Sequence, residues 1–215
     1  MKEMISYITK LNKEDKTMFF LQFSTLINIF VVVVKFGAAF ILPSLWFFVN
    51  ACFMLIITVS RAVAVRDYNR TRKSKDAAEK EKTGFINYRN NGITLIVSGA
   101  VYFCVSLYML FRTSRITMHE YMTYLTALIA FWSIGSAIYG MVKYKRNNAP
   151  IIKAVKITNF ANALTSMVLT QVVLLNTFSG GGDILNYANG LTGMAVSVVI
   201  FGLGIYMTVI NKERG

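Results

Sequence analysis

Residues 42–55 read LPSLWFFVNACFML, fourteen positions without a charge and with one amide, Asn50, set among tryptophan, phenylalanine, methionine and leucine. What Asn50 does depends on whether water or lipid surrounds that segment. Working outward, apolar residues come in blocks about twenty long, the length a helix rising ~1.5 Å per residue needs to cross a hydrocarbon core of roughly 30 Å. Six blocks can be drawn: Phe19 to Phe40, Trp46 to Val65, Gly92 to Phe111, Tyr121 to Val142, Val155 to Phe178 and Tyr187 to Ile210. The chain of 215 residues is 55% hydrophobic and 15% charged, unlike an ordinary water-soluble domain. The expected fold is therefore all-α, a polytopic membrane protein built as a six-transmembrane-helix bundle over residues 17–211. A segment at 1–16, a basic loop at 66–91 and a tail at 212–215 complete the expected organisation.

Charge placement orients the bundle. Only Lys35, Arg112 and Arg115 fall on one side of the drawn spans, and the other 20 of the 23 basic residues fall on the opposite side. The positive-inside rule then puts both termini and the two long basic connections in the cytoplasm, with the spans in the cell membrane. Attraction to anionic lipid headgroups accounts for the same residues, so the net charge of +13 does not call for nucleic acid. The lipid bilayer is the expected partner, together with a second copy or a partner membrane protein. Arg66, Arg70, Arg72, Lys73 and Lys75 are the candidate contacts to a partner or to headgroups.

Met1, Met4, Ile5, Ile8 and Leu11 fall on one helical face, which suits a short helix lying on the membrane surface; a frayed tail is the alternative. The stretch from Arg66 to Lys82 mixes helix formers with charges of both signs and is expected to extend the second helix, with Thr83-Gly84 ending it. Ser133, Ser136, Ala137 and Gly140, and separately Gly190, Gly193 and Ser197, recur at steps of three and four that let helix backbones approach closely.

Several chemistries lack their residues. One histidine, His119, stands in an outer connection beside Glu120, and no acidic residue falls inside any of the six spans. Buried catalytic triads, paired carboxylates and phosphate loops are missing, so no enzyme and no cofactor is expected. His119, Glu120 and Asp183 have no metal-ligand spacing and read as solvated loop residues. Cys52 and Cys104 read as small packed hydrophobes.

The fifth block departs from the greasy pattern. Thr158, Asn159, Asn162, Thr165, Ser166 and Thr170 follow at steps of three and four and share a stripe expected to face away from lipid. Buried amides need partners, and Asn28 and Asn50 are the candidates to face that stripe. These residues, Thr170 aside, are the candidate substrate-binding set. One reading makes the stripe the lining of a cleft that admits a solute; the other makes it interhelical hydrogen bonding. Lys35 is expected to snorkel to the outer surface.

The order of these residues resembles the membrane domain of the cation diffusion facilitator (cation efflux) family. Asn28, Lys35, Ser44 and Asn50-Ala51 carry the likeness, followed by Asn162-Ala163-Leu164-Thr165-Ser166 and a glycine-rich sixth span that begins Tyr187-Ala188-Asn189-Gly190. The resemblance implies six helices with both termini inside and a transport function centred on the second and fifth helices. The four positions that would hold a zinc-like ion in the family are occupied here by Phe53, Ile57, Thr158 and Asn162. Two hydrocarbons, a hydroxyl and an amide do not hold a divalent transition metal. Asn50 would then keep the shape of an acidic position and drop its charge. Three functions remain open: a transporter-like bundle that moves something else, a non-transporting subunit, sensor or scaffold, and a small-molecule-binding membrane subunit.

Overall fold

The computed structural model describes residues 13–41, 45–72, 77–111, 120–143, 150–178 and 183–209. They form six helices: α1 (Lys13–Ile41), α2 (Leu45–Arg72), α3 (Ala77–Leu110), α4 (Glu120–Lys143), α5 (Pro150–Phe178) and α6 (Asp183–Val209). Among the described residues there is no strand. Among the described residues five helices, α2 to α6, are long and apolar enough to cross a membrane, and α1 carries the shorter apolar stretch Thr25–Gly37. The fold is an all-α polytopic bundle, as composition requires. Large hydrophobic side chains cover its outside, among them Phe30, Phe40, Leu128, Trp132 and Tyr139. Such a surface is at home in lipid, where backbone groups must be satisfied within the helices.

Helix α5 is the axis of the bundle: it packs against α2, α3, α4 and α6, while α1 leans mainly on α2 and α4 on α5. The core gathers Trp46, Phe53 and Ile57 of α2, Leu95 and Tyr102 of α3, Val168 and Val172 of α5, and Ile200 and Met207 of α6. Tyr102 meets Trp46 and Phe53 edge to face, with ring centroids 6.2 and 6.1 Å apart. A smaller cluster of Ala64, Ile151, Ile152 and Val155 closes the α2–α5 contact where most of the basic residues lie, called here the basic end.

The most extensive helix contact joins α3 to α6, and glycine makes it. A Cβ built on Gly204 would lie 2.7 Å from the Gly92 carbonyl oxygen and from the Ile96 nitrogen, and one on Gly99 would lie 3.0 Å from the Phe201 nitrogen. Nearer the far end, a Cβ on Gly190 would fall 2.8 Å from Leu110 Cδ1. The two backbones touch at positions only glycine can occupy without displacing a helix. The small residues of α6 thus pack as their spacing implies. Those of α4 largely do not: only Ala137 is buried, and a Cβ on Gly135 or Gly140 would meet nothing within 4 Å.

Two further expectations need correction. Residues 66–72 and 77–91 are helical rather than a loop, because α2 runs on to Arg72 and α3 already begins at Ala77. Thr83-Gly84 ends no helix; Gly84 is buried inside α3, where a Cβ built on it would lie 3.5 Å from the Pro150 ring of α5. The helix continues because polar groups just beyond it find partners inside the bundle. Asn87 donates to Asp67 at 2.8 Å, Asn91 accepts from Ser60 at 2.7 Å, and the Asn91 amide donates to the Asn87 carbonyl at 2.8 Å. Cys104 is exposed rather than packed, and Cys52 is half-buried. The amphipathic stretch before residue 13 lies outside the described residues.

Candidate functional site

Asn50 is 1% exposed, so both ends of its amide must be satisfied by protein. They are, by two different helices. Its Oδ1 accepts a hydrogen bond from Lys35 Nζ of α1, and its Nδ2 donates to the Thr165 carbonyl of α5 at 3.0 Å. Lys35 also reaches Ser166 Oγ at 3.4 Å. A lysine, an amide, a hydroxyl and a backbone carbonyl thereby join α1, α2 and α5 at one point.

Lys35 therefore does not snorkel. It stands six residues before the last residue of α1, about 9 Å along the axis, within reach of the surface had it turned outward. Asn50 and Ser166 offer it polar partners, and it turns in. An ionisable group inside a membrane bundle is costly and is ordinarily kept for a role.

On the α2 side the seam continues through Phe53, Met54, Ile57, Thr58, Arg61 and Ala64, all buried at helical spacing. The α5 side contributes the expected stripe, and the structure divides it. Thr158, Thr165 and Thr170 are buried, but their hydroxyls donate to carbonyls of α5 itself: Val155 at 3.0 Å, Asn162 at 3.0 Å and Ser166 at 3.0 Å. Thr170 also leans to the Thr126 carbonyl of α4 at 3.5 Å, so it leaves the face the others share. Asn159 and Asn162 differ from the threonines. Each has a buried Oδ1 without a hydrogen-bond partner among the described residues.

Asn28 is half-buried on the same face of α1 as Lys35, two turns away, and is not hydrogen-bonded to the stripe. Arg66 and Arg70 are exposed at the basic end. Lys73, Lys75 and His119 lie outside the described residues, as does the side chain of Arg72.

A transition metal does not fit the family's ligand positions here. Phe53 and Ile57 belong to the apolar core and the Thr158 hydroxyl is spent on its own helix. Among the described residues no three of His, Cys, Asp and Glu come together. Sequence reasoning passed over Arg61, which it counted only among the basic residues of the cytoplasmic side although it lies within the second drawn span. It also passed over the Ser60, Asp67, Asn87 and Asn91 network, placed in or beside a loop. The spacing of Asn50, Ile57, Arg61 and Ala64 along one face was the signal that could have marked Arg61 as internal. What the site offers chemically is donors and positive charge, and the α2 carboxylate, Asp67, is engaged by Asn87 of α3. No family model matches the chain and no curated protein matches it significantly, so the reading of the site rests on its geometry.

Proposed function

We propose that this membrane protein is a transporter-like bundle that passes a solute other than a transition-metal ion along the seam between α1, α2 and α5. The observation that carries the reading is the cluster in which Lys35, Asn50, Thr165 and Ser166 tie those three helices together through a half-buried cation. Asn159 and Asn162, whose oxygens are buried without partners, supply further groups that a polar solute could engage as it passes. The likeness to cation efflux proteins supports the reading to the extent that it too centres function on the second and fifth helices. In this proposal the six helices all span the cell membrane, with the basic end and both termini in the cytoplasm.

Reconstitution tests it. In proteoliposomes the parent is expected to move a small polar solute above background, and Asn162→Leu to reduce that flux at least about tenfold through loss of a polar contact. Equal background leakage from both proteins would overturn the proposal. A second reading, a non-transporting subunit that docks a partner, is favoured by the exposed Arg66 and Arg70. It expects a co-purifying protein that is lost when Arg66 and Arg70 are replaced.

A further inference from the structure

Arg61 is the least explained charge in the bundle. It is 3% exposed, lies on the α2 face that packs on α5, and sits between Ile57 at 1% and Ala64 at 0%. Its Nε is buried without a partner, and it forms no hydrogen bond or ion pair with any other described residue. A guanidinium stays protonated at any physiological pH, so neutralising itself is not open to it. The nearest acid along α2 is Asp67, about 9 Å further along the helix axis and engaged by Asn87. The facing helix brings Ile151, Ile152 and Val155 to this level, with Lys156 beside them: apolar groups and another cation, not a carboxylate. A buried cation without a counter-charge is a heavy penalty, and the described protein supplies none.

Further along the seam the pattern repeats. Lys35, near the opposite end, bonds only neutral acceptors, Asn50 and Ser166. Arg61 and Asn50 are eleven residues apart on α2, about 16 Å along the axis, which is roughly half of a hydrocarbon core. Between them α5 holds Asn159 and Asn162, whose amides are engaged by no other described residue and can turn an NH₂ toward a negative group.

We propose that the seam takes an oxyanion, with Arg61 as its principal anchor at the basic end and Lys35 as the second charge toward the other. The planar guanidinium fork matches the paired oxygens of a phosphate or carboxylate, which a halide does not offer. The same chemistry is presented by free inorganic phosphate and by the phosphate of an acidic lipid. The inference rests on the seam being open to a polar group, as in the proposed function, and names what that group is.

The test uses the full chain purified in neutral detergent and stripped of lipid, with thermal unfolding followed at fixed ionic strength. Sodium phosphate, sodium chloride and short-chain phosphatidylglycerol are the probes. Phosphate or the lipid is expected to raise the unfolding midpoint of the parent more than chloride does. Arg61→Gln is expected to raise the half-saturating concentration about tenfold or more, and Arg61→Lys by less, because lysine keeps the charge and loses the fork. Response to phosphate alone identifies a free anion; response only to phosphatidylglycerol, with adducts retained in native mass spectrometry, identifies a lipid headgroup. A parent that responds no more to either than to chloride overturns the inference, and so does an unchanged response in Arg61→Gln. Should Arg61→Gln fail to fold, an Arg61→Lys response identical to the parent's overturns it instead. Asn162-dependent flux of a neutral solute without an anion response would sink the anion and leave the seam. An anion response without flux would keep the anion as a resident group and sink transport.

Discussion

The α3–α6 pair and the α1–α2–α5 seam are built by opposite means within one bundle. Along α3–α6, Gly92, Gly99, Gly190 and Gly204 let backbone meet backbone, and the contact is held by packing. Along the seam, polar side chains sit among the apolar ones: Lys35 on Asn50, Asn50 on Thr165, Arg61 with no described partner. A bundle needs only the first kind of contact to be stable in lipid. Interhelical hydrogen bonds in membranes are worth only ~0.6 kcal/mol on average, so a seam that holds a buried Arg61 and a half-buried Lys35 is not explained by stability. On the proposed reading the first interface serves structure and the second serves function.

Changes at the glycines should break the first interface most severely. Gly204→Leu would place carbon 2.7 Å from the Gly92 carbonyl oxygen and from the Ile96 nitrogen, both backbone atoms that cannot give way without moving a helix. A loss of roughly 3 kcal/mol or more is expected, read as failure to recover folded protein by size exclusion. Next comes Asn50→Leu, which leaves Lys35 with Ser166 alone and removes the tie to the Thr165 carbonyl; detergent unfolding should record a loss of about 2–3 kcal/mol.

A double-mutant cycle sharpens the comparison. Lys35→Met removes the cation but leaves the buried Asn50 Oδ1 without its donor, so by itself it should cost about 1–2 kcal/mol. Combined with Asn50→Leu it should recover at least about 1 kcal/mol of the loss relative to additivity. Purely additive losses would mean that the Lys35–Asn50 contact carries no coupling. The smallest effect belongs to α4: with nothing within 4 Å of a Cβ at either site, Gly135→Ala and Gly140→Ala should be neutral or stabilising by up to ~1 kcal/mol, from helix propensity.

How much of this could be read from residues alone follows from which contacts are local. Block length and composition suffice for the helices: the α4, α5 and α6 spans begin and end within about five residues of the hydropathy reading, whereas α2 runs on to Arg72, past the drawn end at Val65. The start of α3 was fifteen residues early by that measure, at Ala77 instead of Gly92, because Asn87 and Asn91 look like loop until Asp67 and Ser60 are seen beside them. The glycine steps of α4 and α6 are alike in sequence and differ only in whether a neighbour arrives. Lys35 is the clearest case: its distance from the helix end permits snorkelling, and the hydroxyl that helps turn it inward is 131 residues away. The face shared by Asn159, Asn162, Thr165 and Ser166 was visible from periodicity, whereas the spending of the threonine hydroxyls on their own helix was not.

The central claim is that the seam is wet and electropositive. It is tested most directly by replacing Cys52 and Cys104 with serine, introducing Asn162→Cys, and comparing modification by an anionic and a cationic thiol reagent of equal size in proteoliposomes. Modification of that cysteine is expected, with the anionic reagent faster, and with its advantage reduced by Arg61→Gln. A cysteine at position 162 that neither reagent reaches, or that the cationic one reaches faster, would contradict the account.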